Sequence, residues 1–256
     1  VLPLSHDEVV HMKGSLVGKM PGDYETQLCS LRGFYTYFLA HPGKKLLFMG
    51  PELGQWHEWD ANGQLDWYLL EQEPNRKIQA FFRAANRFYQ NTPALWEEDF
   101  RNEGFEWLVP DDNRNNVAVF LRRDSKGRAL LCAVNFSPNA YPDYRVGVPE
   151  DGWYAEAFNT DAEEFGGGGY GNALPVGTQA VPAHGHGQSV VLRIPPFGGV
   201  FLRAEKKSAA NPTKAAVSQK SPGAEKPAAK RAVKKGRQEK TTGRKAAARA
   251  AGKPGK

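Results

Sequence analysis

The chain has 256 residues, of which 40% are hydrophobic and 11% aromatic, with a formal net charge of +6. It contains no run near the roughly 20 apolar residues that span a bilayer, and its opening residues lack a secretory signal pattern. Cys29 and Cys132 each sit inside an apolar segment and read as small core hydrophobes rather than a disulfide or metal pair. A reducing cytoplasm is the expected compartment.

Charge divides the chain into two parts. Residues 205–256 carry 16 Lys or Arg against three acidic residues, and the 18 basic and 25 acidic residues before them leave a body of net −7. The tail is rich in Ala, Lys, Pro, Ser, Gly and Thr and has no aromatic residue. It cannot bury enough surface to offset its ordering entropy, so disorder is expected over residues 205–256. Nucleic-acid or other polyanion binding by this tail is the functional alternative to a plain solvated segment.

In chain order, an apolar opening, Leu2-Pro3-Leu4, gives way to Ser5, His6, Asp7 and Glu8, then to His11 and Lys13. Helical spacing of Leu28, Leu31, Tyr35, Phe38 and Leu39 predicts a helix over 23–41, capped near Asp23 and stopped by Pro42-Gly43. The unbroken apolar run 46–49 predicts a buried parallel strand. A loop with Trp56, Trp59 and Trp67 follows, then a second helix marked by Ile78, Phe81, Phe82, Ala85 and Tyr89. This is βα repetition, with polar residues after the strand ends. Seven short strands are then expected, at 105–109, 117–122, 129–136, 144–148, 153–159, 189–194 and 199–203, as an antiparallel sandwich. The glycine run 166–169 is expected as a mobile loop, since it lacks the Gly-Lys-Ser/Thr ending of a phosphate loop. His184-Gly185-His186 is expected as a turn without ligand partners.

On its residues alone, the carboxylate of Asp7 has several possible uses: acid, base, nucleophile, metal ligand, electrostatic stabiliser, or merely a helix cap. A resemblance narrows the choice. Residues 2–23, LPLSHDEVVHMKGSLVGKMPGD, resemble the fourth signature region of the alpha-amylase superfamily as carried by bacterial 1,4-alpha-glucan (glycogen) branching enzymes. The similarity continues through PGKKLLFMGPELGQWHEWD (42–60), LDWYLL (65–70), FEWLVPDDNRNNVAVFLRR (105–123), VNFSP (134–138) and FNTD (158–161), covering residues 1–203. Met12 and Pro51 depart from the family pattern, standing where Gly and a polar residue are usual.

The resemblance implies three parts. Residues 1–100 form the closing part of a (β/α)8 TIM barrel, containing its seventh and eighth strands, with the site at the C-terminal ends of the strands. Residues 101–204 form the all-β C-terminal domain, and 205–256 the basic tail. It also implies a glycosyltransferase acting by retaining double displacement on an alpha-glucan such as glycogen or amylose, without cofactor, metal or membrane. Asp7 matches the carboxylate that stabilises the transition state, and His6 matches its substrate-binding neighbour. Trp56, Trp59 and Trp67 are the further sugar-binding candidates, against the alternative that they anchor the loop. The nucleophile and general acid are expected upstream of Val1, so this chain alone is expected to be inactive. The competing reading is a non-catalytic glucan-binding or structural module. With most of a barrel missing, residues 1–100 are expected to be marginally stable, and residues 101–203 able to fold alone.

Overall fold

Asp23 begins the first helix by accepting a hydrogen bond from the Thr26 amide, 3.0 Å, and α1 runs Tyr24–Ala40. The computed structural model describes residues 4–205, which fall within one compact unit. Of the tail for which disorder was expected, Glu205 ends the last strand and residues 206–256 lie outside the described residues. A second helix, α2 (Glu73–Gln90), carries Pro74 in its first turn, where a missing N–H costs nothing. Its buried stripe of Ile78, Phe81, Phe82 and Ala85 faces α1, where Tyr35 packs at a tilt against Phe82 and donates its hydroxyl to Asn86 Oδ1, 2.7 Å.

Eight strands follow: β1 (Phe105–Asp112), β2 (Val117–Arg123), β3 (Ala129–Asn135), β4 (Tyr141–Val148), β5 (Trp153–Asn159), β6 (Val176–Gly177), β7 (Gln188–Ile194) and β8 (Gly198–Glu205). They form an antiparallel sheet in the order β1-β2-β3-β8-β5-β6 and a two-stranded sheet, β4-β7. The antiparallel all-β region expected from the sequence is therefore present. Alternating residues on β2, β3, β7 and β8 fill the space between the sheets: Val119, Leu121, Leu131, Ala133, Val190, Leu192, Val200 and Leu202.

The outer face of the large sheet is also buried. Phe120, Leu130, Cys132 and Phe201 pack there with Ala40 of α1, and with Leu95, Phe88 and Tyr89. Helices thus form a third layer over the sheet, which explains why every residue of β3, ALLCAVN, is buried. This packing argues against the expectation that residues 101–203 fold alone, because excision would bare that whole face to water. Both cysteines are free thiols, Cys132 buried and Cys29 partly so.

Close approach explains a glycine in the middle of α1. A Cβ on Gly33 would lie 2.5 Å from the Phe197 carbonyl oxygen and 2.9 Å from its carbon, both rigid backbone. Gly33→Ala gains helix propensity but pushes α1 off the β7–β8 connection. Chemical denaturation of the variant is expected to show a net loss of about 1–3 kcal/mol.

The joint between the helical and sheet layers is polar. Arg122 on β2 is fully buried and pairs with Asp99, 2.8 Å. Its guanidinium also donates to the Ala40 carbonyl at the end of α1, 2.6 Å, and to the Gly104 carbonyl, 3.1 Å.

Two expectations are corrected. Residues 46–49 do not form a buried strand. Leu47 makes one parallel bridge to Leu4, flanked by the Leu4 amide to Leu46 O at 2.9 Å and the Phe48 amide to Leu4 O at 2.8 Å. Leu46 and Met49 remain 48% and 47% exposed. A parallel strand is buried by partners along both edges, and the described residues supply a partner along one. The glycine run 166–169 is not a loose loop either. The buried carboxylate of Asp161 accepts from the amides of Gly168, 3.1 Å, and Tyr170, 2.9 Å, while its carbonyl accepts from Gly169, 2.7 Å. Gly167 passes so close to the Asp161 backbone that a Cβ would sit 2.2 Å from its oxygen.

Candidate active site

Leu4, in its parallel bridge, and Val9, in the core with α1 and α2, anchor an exposed turn between them. His6, Asp7 and Glu8 form one turn of 3-10 helix with Ser5 as its cap. Ser5 Oγ accepts from the Asp7 amide, 3.3 Å, and donates to Asp7 Oδ2, 3.1 Å. His6 Nε2 lies 3.3 Å from Asp7 Oδ1. The Asp7 side chain is 65% exposed, so lone pairs on both carboxylate oxygens stay open to hydroxyl donors. Lys13 Nζ donates to the Asp7 carbonyl, 2.7 Å, and Lys19 Nζ to that of Glu8. These lysines hold the main chain of the turn and leave the carboxylate free.

The tryptophans separate into two kinds. Trp59 is half-buried, edge-on to Phe48 with ring centroids 5.1 Å apart, and Phe48 in turn lies 6.0 Å from the His6 ring. Its amide donates to the Val9 carbonyl, 3.1 Å, so Trp59 forms the packed floor behind His6. Trp56 and Trp67 are 50% and 53% exposed. Trp56 stands edge-on to Tyr24, 6.0 Å between centroids, and Trp67 opens the 3-10 turn Trp67–Glu71. The structure therefore joins Trp59 to His6 through Phe48 and places Trp56 against the start of α1.

Glu58, between the tryptophans, was missed by sequence reasoning. Its carboxylate accepts from the amides of Gly14, 2.8 Å, and Met12, 2.9 Å, tying the tryptophan loop to the segment after Asp7. Those two amides hold its carboxyl below the usual range. The tether therefore contributes fully above the ordinary carboxylate range and is lost as pH falls through the lowered native value. The WHEW pattern showed an acid flanked by aromatics but not its partners, which lie more than forty positions away in sequence. The loop is braced further by His57 Nδ1 to Asp66 Oδ2, 2.8 Å.

Met12 adopts φ 66°, a left-handed conformation natural to glycine, and its side chain is 98% exposed. The residue that departs from the family pattern therefore strains the backbone without packing against anything. Met12→Gly is expected to raise the thermal midpoint, corresponding to about 1 kcal/mol of relieved strain.

Among the described residues no group of three His, Cys, Asp or Glu is placed to hold a metal ion. His184-Gly185-His186 lies in a tight turn bridged by Ala183 and His186, and His184 Nδ1 accepts from the Gly147 amide, 3.1 Å.

The antiparallel sandwich has counterparts among known proteins. Residues 107–205 match the family described as "Alpha amylase, C-terminal all-beta domain". A solved cyclomaltodextrinase has a similar fold, with a TM-score of 0.50 at 15% identity, covering 75% of this chain and 28% of that one. More particularly, the chain is homologous to 1,4-alpha-glucan branching enzymes, as the signature residues around His6 and Asp7 implied. It is 48% identical over 205 residues to GlgB of Aromatoleum aromaticum, covering 80% of this chain and 32% of that enzyme. It is 49% identical over 206 residues to GlgB of Aquifex aeolicus, covering 80% of this chain and 33% of that one. The chain thus spans about a third of the length of the curated relatives it matches.

Proposed function

We propose that this chain is the C-terminal portion of a glycogen-forming 1,4-alpha-glucan branching enzyme. Such an enzyme cleaves an alpha-1,4 linkage and transfers the freed chain to a 6-hydroxyl, making an alpha-1,6 branch. In this reading residues 1–100 complete a (β/α)8 barrel whose nucleophile and general acid come from segments outside this chain. Residues 101–204 are its all-β domain.

The observation that carries the reading is the setting of Asp7. It follows an isolated parallel bridge at Leu4, and barrel enzymes place their chemistry after the ends of parallel strands; the chain is nearly half identical to branching enzymes. The Asp7 carboxylate accepts hydrogen bonds from sugar hydroxyls that strengthen as the ring flattens toward an oxocarbenium ion, and His6 supports the same sugar. Trp56 and Trp67 offer exposed flat faces to glucose rings, whereas Trp59 acts through packing behind His6. No helix among the described residues is long and apolar enough to cross a membrane, and unpaired Cys29 and Cys132 support a cytoplasmic setting.

The test is amylose turnover, followed by loss of iodine staining together with appearance of alpha-1,6 linkages. The enzyme that contains this chain along with the upstream barrel is expected to branch amylose, and the 256-residue chain alone is not. Branching by the isolated chain would overturn the division of roles.

A further inference from the structure

Away from the Asp7 turn, a cleft of about 610 Å³ opens between the N-terminal halves of α1 and α2 and the connections of the β region. That size lies within the roughly 300–1,000 Å³ of small-ligand sites. Arg32 lines it although the residue is only 4% exposed. The Arg32 guanidinium has only neutral partners. Nε donates to the Thr160 carbonyl, 3.1 Å, and Nη2 to the Cys29 sulfur, 2.9 Å. Among the described residues it makes no ion pair. A buried guanidinium without a counter-charge is costly to maintain, and it invites an anion.

Nη1 makes no hydrogen bond to a described residue and lies beside Gly166, which lines the same cleft. A Cβ at Gly166 would lie 3.8 Å from Nη1 and 3.4 Å from Cδ of Lys77, so the bare glycine keeps open the space between the two cationic side chains. Gly166 adopts φ 82°, which also disfavours a larger residue. Lys77 Nζ pairs with Glu73 at 2.9 Å on the partly exposed face of α2, and Glu25 also lines the cleft. These acids oppose a polyanion, as does the net −7 of the body. Phe165 and Phe197 supply apolar walls.

We infer that this cleft binds a small organic oxyanion, a phosphate or carboxylate held by Arg32 with Lys77 beside it, its apolar body resting on Phe165 and Phe197. The site is separate from the Asp7 turn and does not depend on the glucan chemistry proposed above.

Cys29 lines the same cleft and provides a local readout unaffected by anions that gather on the basic tail. In the full chain, its alkylation by iodoacetamide is followed by peptide mass spectrometry, with buried Cys132 as the internal blank. Phenyl phosphate, benzoate and inorganic phosphate are each added at an ionic strength held constant with sodium chloride. At least one of the two organic anions is expected to slow Cys29 alkylation, about tenfold at ten times its dissociation constant. Whichever of the pair protects more strongly identifies the anionic group as phosphate or carboxylate. Arg32→Lys keeps the charge and loses the fork, and Lys77→Met removes the second cation. Each is expected to move protection to higher concentration, and Lys77→Met serves alone if the Arg32 variant does not fold. Equal protection by inorganic phosphate overturns the role of the apolar walls. Protection by none of the three, or protection unchanged in the folded variants, overturns the site.

Discussion

Asp99→Ala is expected to lower the free energy of unfolding by about 3–5 kcal/mol, because it leaves Arg122 charged, fully buried and without its counter-ion. Urea titration followed by tryptophan fluorescence measures the loss. Two neighbours sharpen the expectation. Asp99 Oδ2 has no hydrogen-bond partner, so the Arg122–Asp99 contact at 2.8 Å is that carboxylate's main compensation. Lys45 lies in the same field, its pKa lowered to about 8 by burial, with Asp99 the opposing attraction.

Because the native pKa of Lys45 lies below its unfolded value, stability rises as pH increases from about 8 to 10.5. Removing Asp99 takes away the attraction and widens that window downward. The double variant Asp99→Leu with Arg122→Met removes both charges and is expected to recover part of the loss. Recovery is incomplete because the Ala40 and Gly104 carbonyls then lose their Arg122 donors. A double variant no better than Asp99→Ala would show that the carbonyl contacts, not the ion pair, hold the layers together.

The second large effect is on catalysis. In the full-length branching enzyme proposed above, Asp7→Asn is expected to lower kcat roughly 10²- to 10³-fold, the equivalent of a few kcal/mol of transition-state stabilisation. KM is expected to change far less, because the lost bonds are those that strengthen as the ring flattens. Folding is expected to be unaffected, since the Asp7 side chain is mostly solvent-exposed and Ser5 caps the turn through the Asp7 amide, which Asn retains. A variant with unchanged kcat and raised KM would reassign Asp7 to ordinary substrate binding. A variant with unchanged kinetics would remove it from the site.

Much of the fold was legible in the sequence because it is encoded locally. The cap at Asp23 and the 3.6-residue spacing through Leu39 delimit α1 to within a residue. Short strand-forming runs and the turn residues between them locate the seven longer strands, because both are local features of the chain. The candidate site was legible only in part. His6 and Asp7 announce themselves as a motif, but Trp59 and Trp56 look alike in sequence, and only Phe48 and Tyr24, brought in from elsewhere in the chain, separate a packed ring from an exposed one.

The sequence by itself determined the two helices, the seven longer strands, their order and the signature around Asp7, since propensity, periodicity and capping act between residues a few positions apart. The tertiary structure alone decided that the large sheet is covered on both faces, that 46–49 makes only a single bridge, and that Glu58 and Asp161 organise loops. Burial and hydrogen-bond satisfaction depend on partners brought from as far as 128 positions away, as Thr160 is from Arg32, and no local pattern records which partners arrive.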